Sequence, residues 1–137
     1  MSKRIREIFS YLFWGALTTL VSWLTYTLFA WLTGSVTVAN ILSWLCAVAF
    51  AFVTNKQWVF GSKDWSAGTV WAECLKFLSA RLITGALELV GVPLVACFGG
   101  QALLGIEGLG AKIIVTVAVV LLNYLFSKRI IFRKREQ

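Results

Sequence analysis

Histidine is absent from the 137-residue chain, and its three cysteines, Cys46, Cys74 and Cys97, stand at unrelated spacings. An odd set of thiols with no imidazole nearby excludes a disulfide framework and offers no zinc-ligand pattern. Acids are scarce as well, six Asp and Glu against thirteen Lys and Arg, and no pair of them has the spacing of a catalytic couple. A Gly-rich phosphate loop is also missing. The chain therefore reads as a protein that is not an enzyme, with no catalytic residue, metal site or cofactor expected. Its single proline, Pro93, sits two residues after Gly91 in an apolar run, where it predicts a kink.

What the chain has in abundance is apolar surface. Hydrophobic residues make up 59% of it, well above the roughly 45–50% of soluble domains. At about 20 apolar residues per crossing, the apolar stretches fit four helices and leave almost nothing for a soluble domain. The expected fold is an all-α integral membrane protein, a single domain over residues 1–137, with helices at about 9–32, 36–54, 72–98 and 111–127. The basic start followed by an apolar run resembles a signal peptide, but the run is too long and no small-x-small cleavage site follows, so it is read as the first helix.

The net charge of +7 is placed so that it reads topology, and nucleic acid is not an expected partner. Lys3, Arg4 and Arg6 precede the first run, Lys56 and Lys63 follow the second, and Lys128, Arg129, Arg133, Lys134 and Arg135 close the chain. By the positive-inside rule these segments, and so both termini, are cytoplasmic. Thr33 to Thr37 carries no charge and Gly99 to Gly110 carries only Glu107 among its acids and bases, which puts both connections outside. The second is long and Gly-rich enough to be a re-entrant or binding element. The result is two tandem helical hairpins in the cytoplasmic membrane.

The two halves look alike. Glu7-x-x-x-Tyr11-Leu12 recurs as Glu73-x-x-x-Phe77-Leu78, with Thr18 falling on Thr84, and Thr54-Asn55-Lys56-Gln57-Trp58-Val59-Phe60 matches Phe126-Ser127-Lys128-Arg129-Ile130-Ile131-Phe132. Because each half contains two crossings, the halves share one orientation, as a parallel two-helix repeat.

Polar residues inside apolar runs are functional by default, since a charge near the bilayer centre costs about 2.5–3.5 kcal/mol on insertion scales. Arg81 and Glu88 share one face of helix three but lie two turns, about 10 Å, apart, too far to pair. Arg81 could instead snorkel to the headgroups, and Glu88 could find a hydrogen bond on a neighbouring helix. Asn55 and Lys56 close helix two, and Ser127, Lys128 and Arg129 close helix four, either as lipid anchors or as phosphate ligands. Asn123 lies deeper on the Ser127 face, where an amide seeks an interhelical hydrogen bond. Lys112 opens helix four and either is neutralised by Glu107 or extends a ladder of cations from Lys56 and Lys128 through Arg81. Such a ladder suits an anionic headgroup, which Arg binds bidentately.

These residues resemble the GtrA-like family of small four-helix membrane proteins, implicated in moving polyprenyl-phosphate-linked sugars for cell-envelope glycosylation. The most specific part is Ala51-x-x-x-Asn55-x-x-x-Val59-Phe60, with Phe77-x-x-x-Arg81 and the Lys112 to Asn123 spacing as further similar positions. Two departures stand out: Ser22 occupies a place where the family commonly has an acid, with Glu88 at the repeat-equivalent position, and Ser127, Ile130 and Ile131 replace the usual closing signature.

The resemblance implies a flippase for a polyprenyl-phosphate monosaccharide. Asn55, Lys56, Phe60, Phe77, Arg81 and Lys128 would receive the cargo at the inner interface. Glu88 and Asn123 would hydrogen-bond the sugar, Lys112 would stand at the outer end, and Pro93 with the Gly-rich loop would form an outer gate. Membrane lipids, a membrane glycosyltransferase and a second copy of the chain are the partners left open. Two rival readings are a non-transporting subunit that presents lipid-linked sugar to a glycosyltransferase, and a proton-coupled exporter of organic cations with Glu88 as its acid.

Overall fold

The computed structural model describes residues 1–98, 102–103, 106–107 and 109–132. Helix α1 covers Lys3–Thr33, α2 Val36–Thr54, α3 Ala67–Cys97 and α4 Leu109–Phe126. Between α3 and α4, β1 (Ala102–Leu103) and β2 (Ile106–Glu107) form a two-residue antiparallel pairing. Among the described residues four helical segments are long and apolar enough to cross a membrane: Lys3–Thr33, Val36–Val59, Ala67–Val95 and Gly110–Ile131. Half of the Gly-rich connection expected to act as a gate lies outside the described residues, as do Arg133, Lys134 and Arg135.

Two helices start earlier than hydropathy places them, in polar sequence ahead of the apolar run, and for α1 a cap sets the start. The Ser2 hydroxyl accepts the Ile5 N–H, so α1 begins at Lys3 rather than near Phe9. At 1.5 Å per residue its 31 residues run about 46 Å, more than the roughly 30 Å of hydrocarbon, which leaves room for a charged first turn outside. The Asp64 carboxylate accepts the Ser66 N–H at 2.9 Å just ahead of α3, which begins at Ala67 rather than at residue 72. Pro93 lies within α3, which continues to Cys97.

The chain forms two compact units, one made of Met1–Ser66 and one from Ala67 onward. In the first, α1 and α2 are joined by Gly34 and Ser35 alone. Gly34 takes the left-handed conformation (φ 65°), which a residue without Cβ adopts freely, and returns its N–H to Ala30 O at 3.0 Å, while Ser35 caps α2 through Val38 N–H. The buried stripe of α2 is Ala39, Ser43, Ala47 and Ala51, small side chains one turn apart that let a neighbouring helix approach closely. Near the other end Trp14 stacks on Trp58 at 4.9 Å between centroids, and Tyr11 packs against Phe60 at 6.4 Å.

Hydroxyls within the helices are satisfied locally. Thr18, Thr25, Thr27, Thr33 and Thr54 each donate to the carbonyl four residues back, the usual way an apolar helix carries such groups.

Both return helices end in the same way. Beyond α2 the backbone widens into a π-helical turn over Asn55–Val59, closed by Phe60 N–H to Asn55 O at 2.9 Å. Beyond α4 an equivalent turn spans Ser127–Ile131, closed by Phe132 N–H to Ser127 O, also at 2.9 Å. The terminal aromatic of each turn packs on the aromatic one turn after the matched glutamate, Phe60 on Tyr11 and Phe132 on Phe77. The residues matched between the halves thus occupy matching places within their own units.

The small-residue stripe is testable. Ala51, 1% exposed, leaves no room for a larger side chain, so Ala51→Leu should cost about 1–3 kcal/mol through overpacking. Val53→Leu, on the exposed face of the same turn, should cost nothing measurable. Thermal unfolding of the purified protein in detergent checks the pair, and equal midpoints would contradict the packing described.

Candidate functional site

One face of α3 carries Glu73, Phe77, Arg81, Thr84, Glu88 and Gly91, whose spacings of three and four residues align them in a single stripe. Glu73, Phe77 and Thr84 on this stripe are buried, and Arg81, Glu88 and Gly91 are half-buried. Helix α4 and its π turn answer with Ala111, Val115, Asn123, Ser127 and Ile131, all buried at one-turn or two-turn intervals. The polar members of the two faces meet across the pair.

Thr84, 1% exposed, and Asn123, 6% exposed, bring hydroxyl and amide together at 3.0 Å, with the Thr84 Oγ1–H directed at Asn123 Oδ1. The expected interhelical bond of Asn123 is therefore present, and its partner is one that sequence reasoning did not name. With Oδ1 engaged, the Asn123 Nδ2 protons point away from that bond and keep their capacity to donate.

Glu88 and Lys112 form an ion pair, the ammonium donating to the carboxylate. The side chains are 30% and 54% exposed, respectively. Two turns away, then, the charge opposite to Arg81 is matched from α4. One turn beyond Glu88 the helices lie close together: a Cβ on Gly91 would meet Val115 Cγ1 at 3.3 Å. Ala111, fully buried, lies beside Lys112.

Arg81 stands apart from this pairing. Its guanidinium lies 5.2 Å from the centroid of the Phe77 ring, a cation–π contact to an aromatic that is itself held against Phe132. Among the described residues no carboxylate meets it.

The remaining sequence-predicted residues divide between the units. Lys128 lies in the second, where its Nζ is 3.2 Å from the Tyr124 hydroxyl and 5.5 Å from the ring centroid. Asn55, Lys56 and Phe60 lie in the first. Lys56 is completely buried, donates to Ser62 Oγ at 2.9 Å and lies 5.1 Å from the Trp65 ring centroid, while its carbonyl accepts the Ser62 N–H. It ties the Gly61 to Trp65 connection to the end of α2. The Asn55 amide donates to Ala51 O at 2.7 Å, which fixes its orientation, and its Oδ1 is buried without a hydrogen-bond partner among the described residues. Phe60 is 7% exposed.

The partners overlooked in the sequence differ in how visible they were. Tyr124 lies one turn before Lys128 on the same helix and could have been read from spacing. Thr84 and Gly91 could have been found by folding α4 back along α3 around the middle of their connection, which brings residues equidistant from that point together. Ser62 and Trp65 reach Lys56 only through the path of a non-helical connection.

Comparison with known proteins gives this arrangement a family. Residues 10–132 match the family described as GtrA/DPMS, transmembrane domain. The cell wall teichoic acid glycosylation protein GtcA of Listeria monocytogenes is 30% identical over 133 residues, covering 96% of this chain and 88% of that protein. Its namesake in Listeria innocua serovar 6a is 35% identical over 140 residues, covering 98% and 90%. No solved structure matches the chain. Four segments of membrane-crossing length and a matched family that is itself a transmembrane domain make this a multi-pass membrane protein, and the chain belongs to the GtrA/DPMS transmembrane-domain family.

Proposed function

We propose that the protein translocates a polyprenyl-phosphate-linked monosaccharide across the cytoplasmic membrane for the glycosylation of a cell-wall polymer, and that it does so without catalysing a covalent step. The observation that carries this reading is Arg81. In an apolar helix a guanidinium without a carboxylate partner is costly unless an anion completes it. Its planar fork suits two phosphate oxygens at once. The other three cations of the proposed ladder have protein contacts: Lys56 with Ser62, Lys112 with Glu88 and Lys128 with Tyr124. The names of the Listeria relatives, which refer to teichoic acid glycosylation, support a cell-wall polymer as the destination of the sugar.

In this reading the prenyl tail stays in lipid while the phosphate docks on Arg81 and passes to Lys112. Asn123, oriented by Thr84, offers Nδ2 to a sugar hydroxyl. Asn55 holds an acceptor, Oδ1, that suits a hydroxyl donor and not a phosphate oxygen. A subunit that only presents the lipid-linked sugar to a membrane glycosyltransferase would use the same anion site, and the relatives' names fit it equally. Transport by the purified protein separates the two. An exporter of organic cations would have to break the pairing of Glu88 with Lys112 before that acid could serve it, which favours the anion reading.

Arg81→Ala should reduce transport of labelled lipid-linked sugar in proteoliposomes at least about tenfold, the loss expected for one charge-assisted contact of roughly 1.5 kcal/mol or more. Arg81→Lys should fall between the variant and the parent, because the charge remains without the fork. Unchanged transport in Arg81→Ala would remove the basis of the proposal.

Asn55→Leu tests the buried acceptor. Removing an unsatisfied oxygen relieves a desolvation cost of about 1–3 kcal/mol while giving up one bond to Ala51 worth about 1 kcal/mol. The thermal midpoint should therefore hold or rise, while transport falls. A variant that unfolds earlier but transports normally when folded would show that Asn55 only holds the turn.

A further inference from the structure

The Glu88–Lys112 pair is poorly explained as a clasp between helices. Lys112 is half open, with 54% of its side chain exposed. The helices are already held beside it by the Gly91–Val115 contact and by buried Ala111, and farther along by Thr84 with Asn123. The packing of α3 on α4 therefore does not rest on this pair alone. Its chemistry is more telling than its strength. A carboxylate on an ammonium is a small resonant anion in a place where a phosphate could sit, and Glu88 stands on the same α3 face as Arg81, two turns away.

Resting on the reading of this face as an anion site, we propose that Glu88 is an internal anion that the incoming phosphate must displace from Lys112. Arg81 and Lys112 are then two stations of different character. Arg81 has no competing carboxylate and captures the headgroup. Lys112 is masked, so the phosphate gains there only the difference between its own contact and that of Glu88. A site that hands cargo onward must bind well enough to receive it and weakly enough to release it. Glu88 sets that balance: it is a specificity and release residue acting through Lys112.

Binding of farnesyl monophosphate to the full-length protein in detergent, followed by isothermal titration with farnesol as the uncharged control, tests this. The parent should bind the phosphate, and Arg81→Ala should lose most of that binding. Glu88→Gln, which unmasks Lys112, should bind about three- to tenfold tighter, and Glu88→Asp, with its carboxylate drawn back by one methylene, should show a smaller gain. The double variant Glu88→Gln/Lys112→Gln should lose the gain entirely. Retention of helical circular dichroism confirms that each variant is folded, and Glu88→Asp carries the test if Glu88→Gln is not.

Arg81-dependent binding that is unchanged or weakened in the folded Glu88 variants would overturn this proposal and leave the anion site standing. A gain that persists in the double variant would also overturn it, because the carboxylate would then act without Lys112. Absence of Arg81-dependent binding in the parent would remove the anion site and this inference with it.

Discussion

A hydroxyl, amide or charge placed in hydrocarbon costs several kcal/mol unless another protein group meets it, and that requirement shapes the second helical pair. Thr84 meets Asn123, and Glu88 meets Lys112, each bond joining α3 to α4. Gly91 lets the helices close on Val115 so that these short reaches are possible. Arg81 is the exception. It is held in place by the Phe77 ring, which is fixed in turn by Phe132, yet it finds no counter-charge in the described chain. A scaffold that satisfies its neighbours and leaves one guanidinium for something else is the arrangement from which the functional reading follows.

The two halves show how one pattern can serve different ends. Each contains a paired helix, a return helix and a closing π turn with an aromatic packed back on the pair. Such single widened turns frequently mark functional positions, because the local backbone must be stabilised by its surroundings. In the first unit the positions that match the polar stripe are small or weakly polar: Gly15 for Arg81, Ser22 for Glu88, Asn40 for Lys112 and Ala51 for Asn123. The lysine of its π turn, Lys56, holds the connection through Ser62 and Trp65. Beyond the charged first turns of α1, the charges within the four α-helices lie on α3 and α4, while α2 packs through alanines and Trp14 of α1 stacks on Trp58 of the π turn.

Much of this was legible in the sequence. Four apolar runs of sufficient length, the uncharged Gly34–Ser35 turn and the matched ends of the return helices all appear as hydropathy or motif. Helix starts were less legible, since α1, behind its Ser2 cap, and α3 both begin in polar sequence that an apolar window ignores. The cation ladder was the hardest part. Residue type shows that Lys56, Arg81, Lys112 and Lys128 carry charge, but whether each is available depends on what folds against it. For Lys112 that is fixed by the register between two helices, and for Lys56 by the course of a connection, neither of which is encoded in local spacing. Arg81 emerged from the same four with a distinct role only once the partners of the others were known.

The central claim is that Arg81 holds the phosphate of a prenyl-linked lipid. It is tested most directly by mass spectrometry of the lipids that remain bound when the protein is purified gently from its native membrane, compared between the parent and Arg81→Ala. The account predicts a polyprenyl phosphate, free or sugar-linked, retained by the parent and depleted from the variant while bulk phospholipids are retained equally. Equal retention in both proteins, or no prenyl phosphate in either, would contradict it.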